Sequence, residues 1–333
     1  MFLQQLSANK MSVKKKIFSI LIVALLFGAT ICLFWPAILN SPISKQPLQK
    51  DYVQLLFTGD IMLDRGIRYY AENFSAGEKG NKFIFDKISP ILKSYDLVIT
   101  NLEGPITSNK SISSGTTPGS TNNYFFTFDP SWAKTLFEQN IRVVNLGNNH
   151  ILNFGRDGLA QTKKYLDEVK VGYFGSPDYP KSTTTKINGV KITFVSYNEF
   201  SAVPEETKST VEEIKKTKDF SDIIIVFCHW GVEYSLEPTE EIKNMAHQFV
   251  DAGADLIIGS HPHVIEPMEE YNGKRIYYSL GNFIFDQYFS EDVRNGLGVG
   301  VKIIQKLNEH TFDLEFTEKH FYLDNNGQTI EKD

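Results

Sequence analysis

The sequence predicts an α/β domain, and three observations predict it. The chain has 333 residues, 41% hydrophobic and 22% charged, which suits one large globular domain or two small ones. Short β-rich runs alternate with helical patterns, and no internal repeat interrupts them. Polar clusters then follow most of the apolar runs, as they do where ligands collect beyond the carboxyl ends of strands in α/β sheets.

Taken in order, the chain begins with residues 1–16, which carry Lys10, Lys14, Lys15 and Lys16. An uncharged apolar run from Ile17 to Leu39 follows, long enough to span a bilayer. The lysines place the N-terminus in the cytoplasm and the main domain outside the membrane. A cleavable signal peptide is the competing reading, but its apolar core is shorter, and no Ala-x-Ala site follows this run. A lipoprotein signal would need cleavage before Cys32, and the bulky Ile31 argues against it. The expectation is a single-pass membrane anchor over 17–39, a Pro-containing linker over 40–50 and an extracytoplasmic domain over 51–333.

Residues 51–333 carry 28 basic and 40 acidic residues, a net charge of −12. No basic excess suggests nucleic-acid binding. Cys32 and Cys228 are the only cysteines, one in the membrane run and one beside a candidate ligand, so no disulfide framework is expected.

Within the domain the expected strands are Val53–Phe57, Leu97–Thr100, Val143–Leu146, Lys191–Tyr197, Ile223–Phe227, Leu256–Ile258 and Ile276–Ser279. Alternation at Val299–Ile304 and Thr311–Phe316 adds two late antiparallel strands. Asp129-Pro130 opens a helix whose apolar face is Trp132, Ala133, Leu136 and Phe137. A second helix follows Thr239, with Ile242, Met245, Ala246, Phe249 and Val250 on one face and Gly253 as its stop. His247 falls off that stripe and reads as solvated. Residues 108–123, rich in Ser, Thr, Gly and Asn, read as a mobile loop. His310 and His320 stand apart from any cluster and receive no role.

The polar clusters are Gly59-Asp60-Ile61-Met62, Asn101-Leu102-Glu103, Gly147-Asn148-Asn149-His150, His229-Trp230-Gly231-Val232-Glu233, Ser260-His261-Pro262-His263 and Gly281-Asn282-Phe283. Pro262 biases His261 towards extended backbone, where residues i and i+2 point the same way, so both imidazoles are expected to share a site. Imidazoles suit first-row divalent ions, and carboxylates with amide oxygens suit harder ones. His150, His229, His261 and His263, with Asp60, Glu103 and Asn149, supply donors for one or two metals. Mn²⁺, Zn²⁺ and Fe²⁺ all fit the mixed donors. Each residue alone has a plainer reading: Asp60 as a helix cap, Glu103 as an exposed acid, Asn148 and Asn149 as turn formers, His229 as a core histidine.

Together, and in order over about residues 52–290, these clusters resemble the CapA-like poly-γ-glutamate capsule biosynthesis family. The resemblance extends to His229-Trp230-Gly231-x-Glu233-Tyr234 and Ser279-Leu280-Gly281-Asn282-Phe283. It implies a metallophosphoesterase-like fold, a sandwich of two β-sheets flanked by helices. It further implies metal ligands at Asp60, Glu103, Asn149, His229, His261 and His263, with His150 as proton donor to the leaving group. Asn101, Asn148, Glu233 and Asn282 would line the site. Membrane-embedded capsule synthesis proteins, polyglutamate and a small activated substrate are the partners implied. Two positions depart from the pattern. Met62 stands where metallophosphoesterases usually have a histidine, and Asn153 stands where this family often has an acid. Asn153 is therefore expected to leave His150 without an orienting partner.

Overall fold

The structure, a computed structural model, describes residues 51–332 except 74–79, 179, 204 and 307–310. The expected anchor over 17–39, the linker over 40–50 and His310 lie outside the described residues. Among the described residues no helix is long and apolar enough to cross a membrane.

Two β-sheets stack face to face. The first is built around β1 (Tyr52–Ile61), β2 (Leu97–Leu102), β3 (Ile141–Asn145) and β4 (Gly172–Phe174), all parallel. The second is built around β5 (Ser182–Ile187), β6 (Val190–Asn198), β7 (Ile223–His229) and β8 (Leu256–Ser260), with β6, β7 and β8 parallel. A hairpin of β9 (Met268–Tyr271) and β10 (Lys274–Tyr277) completes the second sheet beside β8. The short β11 (Asn282–Ile284) returns to the first sheet and pairs with the end of β1. The tail, β12 (Asn295–Gln305), β13 (Phe312–Leu323) and β14 (Thr329–Lys332), adds three antiparallel strands on the side of β1 away from β2.

Alternation along single strands explains the layers. On β7, Ile223, Ile225 and Phe227 face the first sheet and, with Phe194 of β6 and Ile258 of β8, share one core with Val53, Leu55 and Phe57 of β1. The intervening Ile224, Val226 and Cys228 face outward onto the helices Glu206–Thr217 and Glu240–Ala252. A strand buried on both faces reads as an unbroken apolar run, which is why the sequence marks these strands so clearly. The outer face of the first sheet is covered in the same way by the helices Arg65–Asn73, Ser131–Glu138 and Gly155–Val169.

Several expectations need correction. Residues 108–123 are pinned, because buried Asp64 accepts from the Ser111 and Ser113 hydroxyls and the Thr127 amide, each at 2.9 Å. Residues 278 and 279 fall beyond the end of β10, and Leu146 beyond the end of β3. His247 is half-buried, bonded to Glu269 at 2.9 Å and stacked on Tyr271 at 3.8 Å, and so is not simply solvated. The helix after Thr239 does start on the Thr239 side chain, which accepts from the Ile242 amide, and it ends at Gly253 with φ +121°.

Two glycines let the strands approach closely enough to bring the polar ends together. A Cβ at Gly59 would lie 1.8 Å from the Gly281 carbonyl oxygen, and one at Gly259 would lie 1.8 Å from that of Tyr278. Both contacts are to backbone, which cannot swing aside. Gly59→Ala is therefore expected to cost about 2–3 kcal/mol or more, a fall in Tm of roughly 5–10 °C. A variant melting with the wild type in calorimetry would show that the β1–β11 seam is looser than described.

Candidate metal centre

The strand registers place the functional side chains in two facing rows. In the first sheet Asp60 sits beside Asn101 on one side and Asn282 on the other, and Asn101 sits beside Asn145. In the second sheet Asn198, His229 and Ser260 are neighbours. The carboxyl ends of both sheets open at the same edge, and the loops after β2, β3 and β8 bring in Glu103, Asn149, His150, His261 and His263.

The two histidines after β8 reach the site by a different backbone from the expected one. His261 has φ +98° and His263 φ +58°, so the segment is a tight turn rather than extended chain. Pro262 does not prevent it because the turn is tied at several points. The His261 amide donates to Asp60 Oδ2 at 3.1 Å, and the Pro262 carbonyl accepts from the Tyr234 amide at 2.8 Å.

One group of donors is compact. One ligand atom each from Asp60, Glu103 and His263 lies within 4.8 Å of the others, and all three residues are buried. Neither Glu103 oxygen has a hydrogen-bond partner, and its nearest nitrogens are His263 Nε2 and His150 Nε2, each at 3.7 Å. Burial, with Asp60 next to it, pushes the Glu103 carboxyl well above its usual range. Burial opposes charge on His263, but Glu103 and Asp60 outweigh it and hold the imidazole up at about 9. An ionised carboxylate in such a place needs a cation.

A second group faces it. His229 Nδ1 lies 3.0 Å from the Ser260 hydroxyl and 3.3 Å from the Asn101 side-chain nitrogen, and its Nε2 lies 3.0 Å from Asn149 Oδ1. Burial and then the neighbouring His261 hold the His229 pKa well below normal, which keeps the ring neutral. Buried His261 Nδ1 also lacks a partner, and burial pushes that ring down to about 3. The residues present therefore fit a divalent ion, and the orphaned atoms of Glu103 and His261 are the observations that say so.

Other expected residues act from behind. Asn101 donates to Asp60 Oδ1 at 2.8 Å and in turn accepts from Asn145 and Asn148 at 3.1 and 3.2 Å. Asn282 accepts from His263 Nδ1 at 3.0 Å, which turns Nε2 towards Glu103. Asn101, Asn148 and Asn282 are buried behind the donors, with Asn148 also lining a cavity beside Asn149, and Glu233 is exposed. Met62 is buried in the apolar core, its sulfur against the Asp64 amide at 3.1 Å. Asn153 corrects an expectation: its amide oxygen lies 3.2 Å from His150 Nδ1 and orients the ring. Being neutral, it stabilises charge less than an acid would, and burial pushes His150 down to about 4.

Sequence reasoning passed over Asn145 as part of the site, and also the rings that wall it. Phe126 packs tilted against His150 at 4.4 Å, Phe200 against His261 at 4.3 Å and Phe285 against His263 at 4.8 Å. Asn145 carried a signal, since it ends an apolar run. The phenylalanines carried none.

The family described as bacterial capsule synthesis protein PGA_cap matches residues 54–287, a span that holds every residue of this centre. The chain belongs to that family. Among relatives of this PGA_cap member, the PGA biosynthesis protein CapA of Bacillus subtilis (strain 168) is 34% identical over 71% of the chain. The capsule biosynthesis protein CapA of Bacillus anthracis is 30% identical over 72%. The matches span 64% and 61% of those relatives' own lengths. Among solved structures, TT1561 of Thermus thermophilus is similar with a TM-score of 0.41 at 13% identity, covering 79% of this chain and 98% of its own. A likeness of that size decides nothing about the fold.

Opposing responses to chelator and metal test this centre. In chelator at pH 8, Glu103→Gln is expected to melt several degrees above the wild type, because burial and the neighbouring Asp60 cost the Glu103 carboxyl more than the charged His263 returns. In excess Mn²⁺ the order is expected to reverse, since the wild type gains binding energy that the variant lacks. Identical ranking in both conditions, read by scanning fluorimetry, would argue against a cation at Glu103.

Proposed function

We propose that this chain acts in poly-γ-glutamate capsule biosynthesis or export, through metal-assisted, phosphoesterase-like hydrolysis at the centre described above. The names of the two Bacillus relatives support the biological setting. The observation that carries the chemistry is the buried Glu103 carboxylate, without a hydrogen bond, between His263 and Asp60.

Asp60, Glu103 and His263 would hold one divalent ion, and Asn149, His229 and His261 a second. Such ions, when bound, supply Lewis-acid polarisation of a phosphoryl or acyl oxygen and activation of water. The protein's own contribution is orientation and proton handling. Asn101 fixes the Asp60 carboxylate, Asn282 fixes the His263 tautomer, and Phe126, Phe200 and Phe285 exclude water from the imidazoles. His150, held by Asn153, protonates the leaving group. Its ring is neutral at pH 7 without substrate, and an anionic substrate beside it favours the protonated form that donation requires.

The lysine-rich start and the apolar run 17–39 support a single-pass membrane protein with residues 51–333 outside. Membrane-embedded capsule synthesis proteins are then its natural partners. The net charge of −12 on that domain repels a polyanion. It favours a small activated substrate, or a polymer end held at the centre, over broad binding of the polymer. Met62 favours a second reading, a non-catalytic scaffold, because its thioether is turned away from the site where a histidine ligand is usual in metallophosphoesterases.

Complementation of a deletion strain separates the two. His150→Gln, expected to lose roughly 10²–10⁴-fold in turnover, and Glu103→Ala should both fail to restore capsule while the protein accumulates normally. Normal capsule from both variants would reject catalysis and leave a structural role.

A further inference from the structure

A cavity of about 600 Å³ lies beside the metal centre, lined by Arg65, Asn123, Tyr124, Tyr234, Gln287 and Phe289 among others. It falls in the range of small-molecule pockets, roughly 300–1,000 Å³. It adjoins the centre through shared walls. Tyr234 lies 6.1 Å from the His263 ring, and Arg65 sits 5.0 Å over Phe126, the ring that packs against His150.

The lining speaks to what the cavity takes. Its aromatic faces are open: Tyr124 is 46% exposed, Tyr234 41% and Phe289 67%. Tyr234 and Phe289 meet edge to face at 5.2 Å and 84°, so one face of one ring is covered and the remaining exposed faces are left to stack. Tyr234 is held there at φ +67°, a conformation that tyrosine rarely adopts, with its amide on the Pro262 carbonyl and its hydroxyl accepting from Gln287. An unusual backbone kept in place at a cavity wall is the kind of strain that functional sites retain.

The charges are already spent. Arg65 is paired with Asp286 and bonded to Asn123 at 3.0 Å, and its Nε is buried. Asp286 also accepts from the Gly66 amide at 2.8 Å. The other polar groups of the lining are neutral: the Ser114 hydroxyl, and the Thr116 hydroxyl with the Asn123 and Gln287 amides, which already bond within the protein and offer a ligand their second lone pairs and amide protons. A polyglutamate segment, with a carboxylate on every residue, finds no uncompensated cation in this lining. A pyranose ring matches it: its C–H faces carry partial positive charge that suits the negative faces of aromatic rings, and its hydroxyls pair with neutral donors and acceptors.

We propose that this cavity is a carbohydrate subsite that holds one or two sugar rings of a glycan or glycoconjugate next to the metal centre. Binding there needs no metal, so the proposal stands or falls separately from the hydrolytic reading. Sugar binding without hydrolysis would leave the subsite in place and reject only the chemistry.

Saturation-transfer NMR and calorimetric titration of the full-length chain in detergent, with chelator present, provide the test. The probes are trisaccharides of glucose and of N-acetylglucosamine, with tri-γ-glutamate as the charged comparison. At least one trisaccharide is expected to bind with millimolar or tighter Kd, and Tyr124→Ala and Phe289→Ala are each expected to weaken it about tenfold. Both residues are exposed, so the variants should keep the wild-type Tm. The proposal is overturned if neither sugar binds, if tri-γ-glutamate binds more tightly than both, or if both variants bind the sugar as the wild type does.

Discussion

Two carboxylates share one water-poor pocket at the seam between the sheets, and the rest of the molecule is arranged around that fact. Asp60 is fully buried but well provided, with Asn101 on one oxygen and the His261 amide on the other. Glu103, equally buried, has nothing but imidazoles at 3.7 Å. Taking an ion out of water costs several kcal/mol even after relaxation, and a pair of like charges costs more. A fold keeps such an arrangement when a cation completes it.

Backbone geometry makes the pocket possible. The polar residues sit at the ends of strands whose middles are entirely apolar, so the sheets can pack tightly and still present donors at one edge. Gly59 and Gly259 admit neighbouring carbonyls at distances that any side chain would forbid. The turn at His261 and His263 then folds both imidazoles back over Asp60. Supporting amides, from Asn101, Asn145, Asn148 and Asn282, fix carboxylate and tautomer at little electrostatic cost because they are neutral.

How much of this was legible in the sequence varies with the physical source of each feature. Strands buried on both faces announced themselves as apolar runs, and Ile223–Phe227 and Leu256–Ile258 fall inside β7 and β8 for that reason. Strand β5 did not, because its Thr-rich, half-exposed sequence pairs only with β6 at the sheet edge. Strand β11 is three residues long and exists only through its pairing with β1. In the site, residue types and order pointed to the donors, but burial and tautomer did not appear in them. Nothing local distinguished Glu103 from a surface acid, and Asn153 looked like a lost partner when it is a retained one. The proline at 262 suggested extended chain, and tertiary ties at the Asp60 carboxylate and the Tyr234 amide overrode it.

Anomalous diffraction from crystals of this protein grown with Mn²⁺ tests most directly whether the uncompensated acceptors at the seam are metal ligands. A peak is expected in bonding contact with Glu103, Asp60 and His263, at roughly 2.0–2.3 Å from their ligand atoms. A fully occupied Mn²⁺ site elsewhere on the molecule, or no peak with the Glu103 carboxylate still bare, would contradict it.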